Sequence, residues 1–528
     1  MGIYLNPGNE SFQKITQHYI YVDKSGIIPE LMKIAQYDNQ FICVSRPRRF
    51  GKTVIGNMLS AFFSKGCDSR NLFNNHEVSK SPYFEKYLNS QNVIKIDLNG
   101  EFNSSEDSEN LFSILIKRIN KELLEAFPQC NLDENETLPY NISSIYNKTG
   151  EKFVIIIDEY DVLVREAVTG GVSDKLFDKY LKFLSSIFKN EQIQPAITLA
   201  YLTGILPIAK QKIQSKLNNF EENTMISPNV LAPYIGFTSQ EVETLCNKNN
   251  VDYQECRRWY DGYKLNGFEM YNPKSVIQSI LKKEFVSYWG QTSTYEVVAD
   301  YIGMNFDGTK DRVIKMISGS KADVNISTYK NTMSDFRTCD DVFTYLIHLG
   351  YLAYEPENQK CYIPNKEVRD EWISAISVSQ EYEQTDKIIK SSKALLYETI
   401  NGNEKAVAAS LDISHIHVTS NRSYNNEDSL QSAIYLSYIY ALNKYTCIRE
   451  MTTGKGFADV VYIPFVKDMP AMIIELKRNK TPETALNQIK EKQYFASLSA
   501  YSGNLLFVAI NYNEQTKLHT CKIEKFTK

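Results

Sequence analysis

Two stretches of the chain carry residue types whose spacing suits phosphate chemistry. In the first, the apolar run Phe41-Ile42-Cys43-Val44 leads into Ser45-Arg46-Pro47-Arg48-Arg49-Phe50-Gly51-Lys52-Thr53, after which Met58, Leu59, Phe62 and Phe63 recur at helical spacing. Backbone N–H groups at a helix N-terminus bind anions, a lysine there sets its charge between β and γ oxygens, and a hydroxyl holds magnesium. Arg49, Phe50, Gly51, Lys52 and Thr53 are therefore the expected nucleotide-binding stretch. The pattern G-x-x-x-x-G-K-[ST] is complete except for its first glycine, where Arg46 stands and its Cβ restricts the turn. The alternative is a basic turn that binds no ligand. Downstream, Phe153 to Ile157 is a buried-strand pattern ending in Asp158-Glu159. Asp158 is expected to join Thr53 in a magnesium shell and Glu159 to polarise the attacking water. Thr203 closes another apolar run and is the expected polar sensor.

The second stretch lies near the C-terminus. Asp459 opens one strand pattern, and Glu475-Leu476-Lys477 closes the next. Residues two apart on a strand share a face, so Glu475 and Lys477 point together while Ile474 and Leu476 face the core. Two neighbouring carboxylates repel unless a divalent cation lies between them, and the lysine can then orient or activate a water. Asp459 and Glu475 are the expected metal ligands, with Glu427, on a helical segment upstream, as a further acid. Gln488, Lys492 and Tyr494 follow on a helix opened by Thr481-Pro482, a cap and first-turn pair. Gly454-Lys455-Gly456 is a basic turn suited to a phosphate backbone or to a plain hairpin. The alternative for Glu475 and Lys477 is an exposed ion pair.

The elements that must position these residues fall into three regimes. Between residues 38 and 206, strand patterns (Phe41 to Val44, Val93 to Leu98, Phe153 to Ile157, Ala196 to Leu202) alternate with helical ones (Asn110 to Phe127, Asp174 to Lys189). Such alternation predicts an α/β domain with a parallel sheet, of the P-loop ATPase type that inserts a strand between its two motif strands. From 226 to 375 the pattern is mainly helical, ending in Asp340 to Leu349 and two short strands, Tyr351 to Glu355 and Cys361 to Ile363, a winged-helix pattern followed by Lys366 and Arg369. The polar, helix-favouring stretch Ser377 to Ser392 reads as a connector, and beyond it helices lead to strands Ala458 to Ile463, Met472 to Lys477 and Leu505 to Asn511. The expected domains are 1–225, 226–375 and 376–528.

Composition bounds the function. With 43% hydrophobic, 23% charged and 12% aromatic residues in 528, the chain is globular and neither a disulfide miniprotein nor disordered. A net charge of −4 excludes a histone-like binder, so nucleic acid must meet a local basic patch. Nine scattered cysteines without a C-x-x-C pair read as reduced thiols. MGIYLNPGNESF has no basic stretch before an apolar one, Asn6 breaks a myristoylation pattern, and no apolar run matches a membrane span. A cytoplasmic protein without membrane contact is expected.

The chain resembles the AAA-ATPase-like proteins fused to a PD-(D/E)XK nuclease domain, a bacterial family. The resemblance spans nearly the whole chain. It rests on Tyr21-Val22-Asp23-Lys24-Ser25, the Ser45 to Thr53 loop, Ile157-Asp158-Glu159-Tyr160-Asp161, Gly236-Phe237-Thr238, Trp259-Tyr260-Asp261-Gly262-Tyr263, Tyr271-Asn272-Pro273, Ile363 to Val368, Asp459, Ile474 to Lys477 and Gln488-Ile489. It implies that Arg46 is the family's own loop variant and that the C-terminal domain is restriction-endonuclease-like. It also implies Glu427 as the helix acid, Asp459 and Glu475 as metal ligands, Lys477 as the catalytic lysine and Gln488 as a supporting position. Asp428-Ser429-Leu430 depart from the aromatic and histidine residues that often follow the helix acid. The expected activity is ATP binding that gates a Mg2+- or Mn2+-dependent cut in nucleic acid, DNA first, in defence or mobile-element biology and with a homo-oligomer allowed. The rival is a STAND-type module that holds ATP while its C-terminal domain only binds nucleic acid or protein.

Overall fold

The computed structural model describes residues 2–37, 39–168, 171–208, 217–289, 295–304, 306–329, 336–379, 382–418, 433–453, 456–466, 468–492, 501 and 503–526. They form two compact units, Met1–Thr294 with Ala322–Asp370 and Tyr295–Lys321 with Glu371–Lys528.

The first unit is built on a parallel sheet of β1 (Phe41–Ser45), β2 (Asn92–Asp97), β3 (Phe153–Asp158), β4 (Ile197–Gly204) and β5 (Glu221–Asn223), in the order β2-β3-β4-β1-β5. Every residue of β1 and β3 is buried, as unbroken β-branched and aromatic runs require when helices cover both faces. β4 lies between β1 and β3, so the ends of the two motif strands flank Thr203. The Lys52–Phe63 helix starts directly after the loop that follows β1 and buries Ile55, Met58, Leu59, Phe62 and Phe63. β5 carries two glutamates and an asparagine, with no apolar signal to mark it as a strand.

In the same unit, β6 (Phe237–Thr238), β7 (Tyr263–Leu265) and β8 (Phe268–Tyr271) form a small antiparallel sheet. A second small sheet joins β9 (Ala322–Asp323), β10 (Ala353–Glu355) and β11 (Lys360–Tyr362). β10 and β11 pair antiparallel after the Cys339–Leu349 helix, as the helix-and-hairpin pattern requires. The helix-favouring connector expected at 377–392 falls on the end of the Lys366–Val378 helix and the start of the Glu383–Asn401 helix.

The second unit is a mixed sheet, ordered β12 (Tyr445–Thr453), β13 (Gly456–Pro464), β14 (Ala471–Arg478), β15 (Leu505–Asn513) and β16 (Leu518–Phe526). Only β14 and β15 run parallel, and the Pro482–Glu491 helix lies in the connection between them. Ile474 and Leu476 pack in one core with Leu395, Leu396 and Tyr438, whereas Ile473 packs with Leu486 and Ile489 of that helix on the opposite face. Burying each such side chain contributes roughly 1.5–3 kcal/mol. Thr481 caps the helix by accepting from the Thr484 amide. Among the described residues, no helix is long and apolar enough to cross a membrane.

Candidate functional site

At the first site, β1 ends in a loop whose last residues take left-handed backbone, Arg49 at φ 70° and Gly51 at φ 90°. Gly51 there is the residue type that pays no Cβ penalty, and it starts the Lys52–Phe63 helix. The Lys52 ammonium donates to the carbonyls of Arg46 and Pro47, each at 2.9 Å, so it is folded over the loop. Burial lowers its pKa to about 8, against the opposing pull of Asp161, Glu159 and Asp158. Asp158 is buried at the end of β3 and hydrogen-bonded to Thr53. Burial raises its pKa, and the Thr53 bond acts in the opposite sense. Thr53 and Asp158 thus share one shell, which fits a nucleotide-bound magnesium.

Glu159 follows at φ 50°, and Arg165 ties its carboxylate to that of Asp161, with contacts of 2.9 Å and 3.2 Å. Asp161 also accepts from the amides of Ile205 and Leu206, which fixes the chain just beyond β4. The Thr203 hydroxyl is buried at the end of β4 without a hydrogen-bond partner, a polar group available to a ligand. Of the expected stretch, Phe50 packs edge-on against Tyr263 with ring centroids 5.4 Å apart, and the Arg49 guanidinium donates to the carbonyls of Tyr288 and Trp289. These two side chains are directed into the protein's own residues. Arg46 is fully buried beneath the loop, donating to the Ser45 and Asn223 carbonyls, and burial lowers its pKa to about 10. Arg165 was not singled out by sequence reasoning, although its spacing of four from Asp161 on a helix is a readable signal.

At the second site, Val460 pairs with Ile474, which sets Asp459 and Glu475 one step further along neighbouring strands. Asp459 accepts from the Leu476 amide at 2.7 Å, and its own carbonyl accepts from the Tyr435 hydroxyl at 3.1 Å. Glu475 is 1% exposed and receives Lys477 Nζ at 2.7 Å on Oε1, where the Gln488 amide also donates. This burial is incompatible with a solvated surface pair. Its other oxygen, Oε2, is buried without a hydrogen-bond partner. Burial raises the Glu475 pKa to about 7, the neighbouring Asp459 charge adds to the rise, and Lys477 opposes it. An orphaned carboxylate oxygen beside a second acid is a donor set that fits a divalent cation. Asp459 and Glu475 would hold it. Among the described residues no group of three or more metal-ligating side chains converges, and Glu427, Tyr494, Gly454 and Lys455 lie outside the described residues.

Two family models match the chain, one over each of the stretches that hold these residues. The model of the predicted AAA-ATPase family matches residues 7–214, and that of the PD-(D/E)XK nuclease superfamily matches residues 425–521. An uncharacterized protein encoded in the vnfD 5' region of Azotobacter chroococcum is 28% identical over 301 residues, covering 56% of this chain. The match takes in 55% of that protein, so the chain spans about half the length of the curated relative it matches. Among solved structures, a Walker-type ATPase of Pyrococcus abyssi matches with a TM-score of 0.34 at 13% identity, over 66% of this chain and 96% of that one. Yeast Hsp104 with ADP matches with a TM-score of 0.27 at 11% identity, over 84% of this chain and 49% of that one. Residues 7–214 are thus an AAA-ATPase-like domain and residues 425–521 a domain of the PD-(D/E)XK nuclease superfamily, joined in one chain.

Proposed function

We propose that this protein is a nucleotide-gated, metal-dependent nuclease acting on nucleic acid, with DNA as the first substrate class. Residues 1–225 bind ATP, 226–375 relay its presence, and 376–528 cut. The observation that carries the reading is Glu475, a buried carboxylate with one oxygen given to Lys477 and Gln488 and the other left unpaired beside Asp459. Burying such a group is costly for a purely structural residue and useful for a ligand.

A divalent cation bound by Asp459 and Glu475 would supply charge neutralisation at the phosphoryl oxygens. The chain's own side chains do the rest. Lys477 is held on the Glu475 carboxylate and presents its ammonium at the same edge, where it can orient a water or support charge developing on phosphate. Gln488 fixes the Glu475 rotamer from the adjoining helix, and the Leu476 amide fixes Asp459. In the ATPase-like domain, Lys52 would exchange its two loop carbonyls for the phosphates, Thr53 and Asp158 would hold magnesium, Glu159 would polarise water and Thr203 would sense the γ-phosphate. A cell must restrain a nuclease, and a nucleotide switch is a physical means of restraint, consistent with defence or mobile-element biology and a cytoplasmic site of action.

One observation favours the rival in which ATP is held and not turned over: Glu159 is ion-paired to Arg165, which draws its charge away from water. Incubating the purified protein with plasmid, linear and single-stranded DNA and with RNA, in Mg2+ or Mn2+, with and without ATP, tests the proposal. Metal-dependent cleavage that changes with ATP supports it, and intact nucleic acid in every arm removes it.

A further inference from the structure

Three residues of the phosphate loop touch chain segments far beyond it, all within the first unit. Pro47 abuts Gly350 so closely that a Cβ on that glycine would lie 2.7 Å from Pro47 Cγ and 3.0 Å from the Trp289 ring. Gly350 is also at φ 87° and ends the Cys339–Leu349 helix, so two constraints select glycine there. Phe50 packs on Tyr263, whose hydroxyl donates to the Gly350 carbonyl at 2.6 Å. Arg49 donates from one guanidinium nitrogen to the carbonyls of Tyr288 at 2.5 Å and Trp289 at 3.0 Å.

The same two residues are gripped from the other side. Glu367, 1% exposed, accepts from the Tyr288 amide at 2.7 Å and the Trp289 amide at 2.8 Å, and from the Ser275 hydroxyl on both oxygens. The Tyr288-Trp289 backbone is therefore held by its carbonyls to the loop and by its amides to the Lys366–Val378 helix. The held Tyr288-Trp289 segment and the Lys366–Val378 helix lie close along the chain to where it leaves the first unit, after Thr294 and after Asp370. Arg49 sits in left-handed backbone, which a non-glycine side chain keeps only when its surroundings impose it.

We propose that this clasp carries phosphate-loop occupancy from Arg49 through Tyr288 and Trp289 to Glu367 and the Lys366–Val378 helix, with Glu367 as a positioning residue. The inference rests on the nucleotide-binding reading of the loop. Anionic phosphates compete with the Arg46 and Pro47 carbonyls for the Lys52 ammonium, and releasing those carbonyls alters the stretch from Pro47 to Arg49. Pro47 has no slack against Gly350, so the change is passed on to the clasped backbone and not absorbed locally. A hydrogen-bonded segment held at both edges has few intermediate arrangements, which suits it to switching between two.

Hydrogen–deuterium exchange of the full chain, with and without ATP and Mg2+, tests this through three peptides: 47–63, 284–289 and 366–378. In the parent protein, ATP is expected to protect 47–63 and to change exchange in both distant peptides at least ~5-fold. In Glu367→Met, which removes the oxygen that accepts from the Tyr288 and Trp289 amides, ATP protection of 47–63 persists while the response of 366–378 disappears. In Arg49→Gln, read at saturating ATP, the response of 284–289 disappears as well. Because the readout is a nucleotide-dependent difference, a merely structural role for Glu367 would not produce this pattern. ATP protection of 47–63 without any response at the distant peptides in the parent, or an unaltered response in Glu367→Met, overturns the clasp and leaves nucleotide binding standing. Absence of protection at 47–63 removes the nucleotide reading and the clasp with it.

Discussion

Replacing Glu475 by Gln is expected to stabilise the metal-free nuclease domain while abolishing its cleavage. A carboxyl whose folded pKa lies above its unfolded value contributes stability that is full below the unfolded pKa and is lost as pH rises through the folded one. For Glu475 that window runs from its ordinary value of 4.5 to about 7. A difference of this size corresponds to about 3 kcal/mol of lost stability once the group is ionised at pH 8. Glutamine keeps the shape, can still accept from Lys477 and Gln488, and carries no charge to desolvate. Its amide nitrogen would replace the unpartnered oxygen, with the Asp459 carboxylate nearby to accept from it. The net gain at pH 8 is expected at about 1–3 kcal/mol, vanishing near pH 4, while cleavage falls at least ~100-fold. Because the chain has two units, a single global melt does not isolate the effect. Native-state hydrogen exchange of the β14 and β15 amides in EDTA, at both pH values, reads the local stability. Slower exchange in the variant at pH 8 is expected, and faster exchange there would refute the assignment of Glu475 as a strained ligand.

The remaining expectations concern other groups. Lys52→Ala removes the ammonium that the phosphates would recruit, and ATP affinity measured by calorimetry should fall at least ~100-fold with the far-ultraviolet spectrum unchanged. Glu159→Gln should keep ATP affinity and lower hydrolysis ~100-fold; turnover at the parent rate would make Glu159 a structural partner of Arg165. Thr481→Ala removes the cap of the helix that carries Gln488, costing about 1 kcal/mol in local exchange protection of that helix.

Local pattern made much of this molecule readable. Four strands of the parallel sheet announce themselves by apolar runs, broken in β2 by Lys95, and the alternation of β14 correctly sends Ile474 and Leu476 to one face and Glu475 and Lys477 to the other. The cap at Thr481 is read from two residues. Edge strands were harder: β5 has the composition Glu-Glu-Asn, and β16 alternates polar with apolar side chains. What no local pattern contains is partner choice across long separations. Arg49 reads as a phosphate-loop cation, yet its acceptors are Tyr288 and Trp289. Glu367 falls within the Ile363 to Val368 motif, yet nothing local shows its partners: the Ser275 hydroxyl and the Tyr288 and Trp289 amides, three donors gathered from distant segments. The orphaned oxygen of Glu475 likewise follows from packing, since the Pro482–Glu491 helix covers that face of β14.

The most direct test of nucleotide-gated cleavage is the initial rate of DNA nicking and linearisation in Mg2+, with and without ATP, by the parent, Lys52→Ala and Lys477→Ala proteins. The parent should cut at rates that differ at least ~10-fold between the two conditions, a coupling of about 1.4 kcal/mol. Lys52→Ala should cut at one rate regardless of ATP, and Lys477→Ala should bind Mn2+ as the parent does while cutting at least ~100-fold more slowly. Equal parental rates with and without ATP, or parental cleavage by Lys477→Ala, would contradict the account.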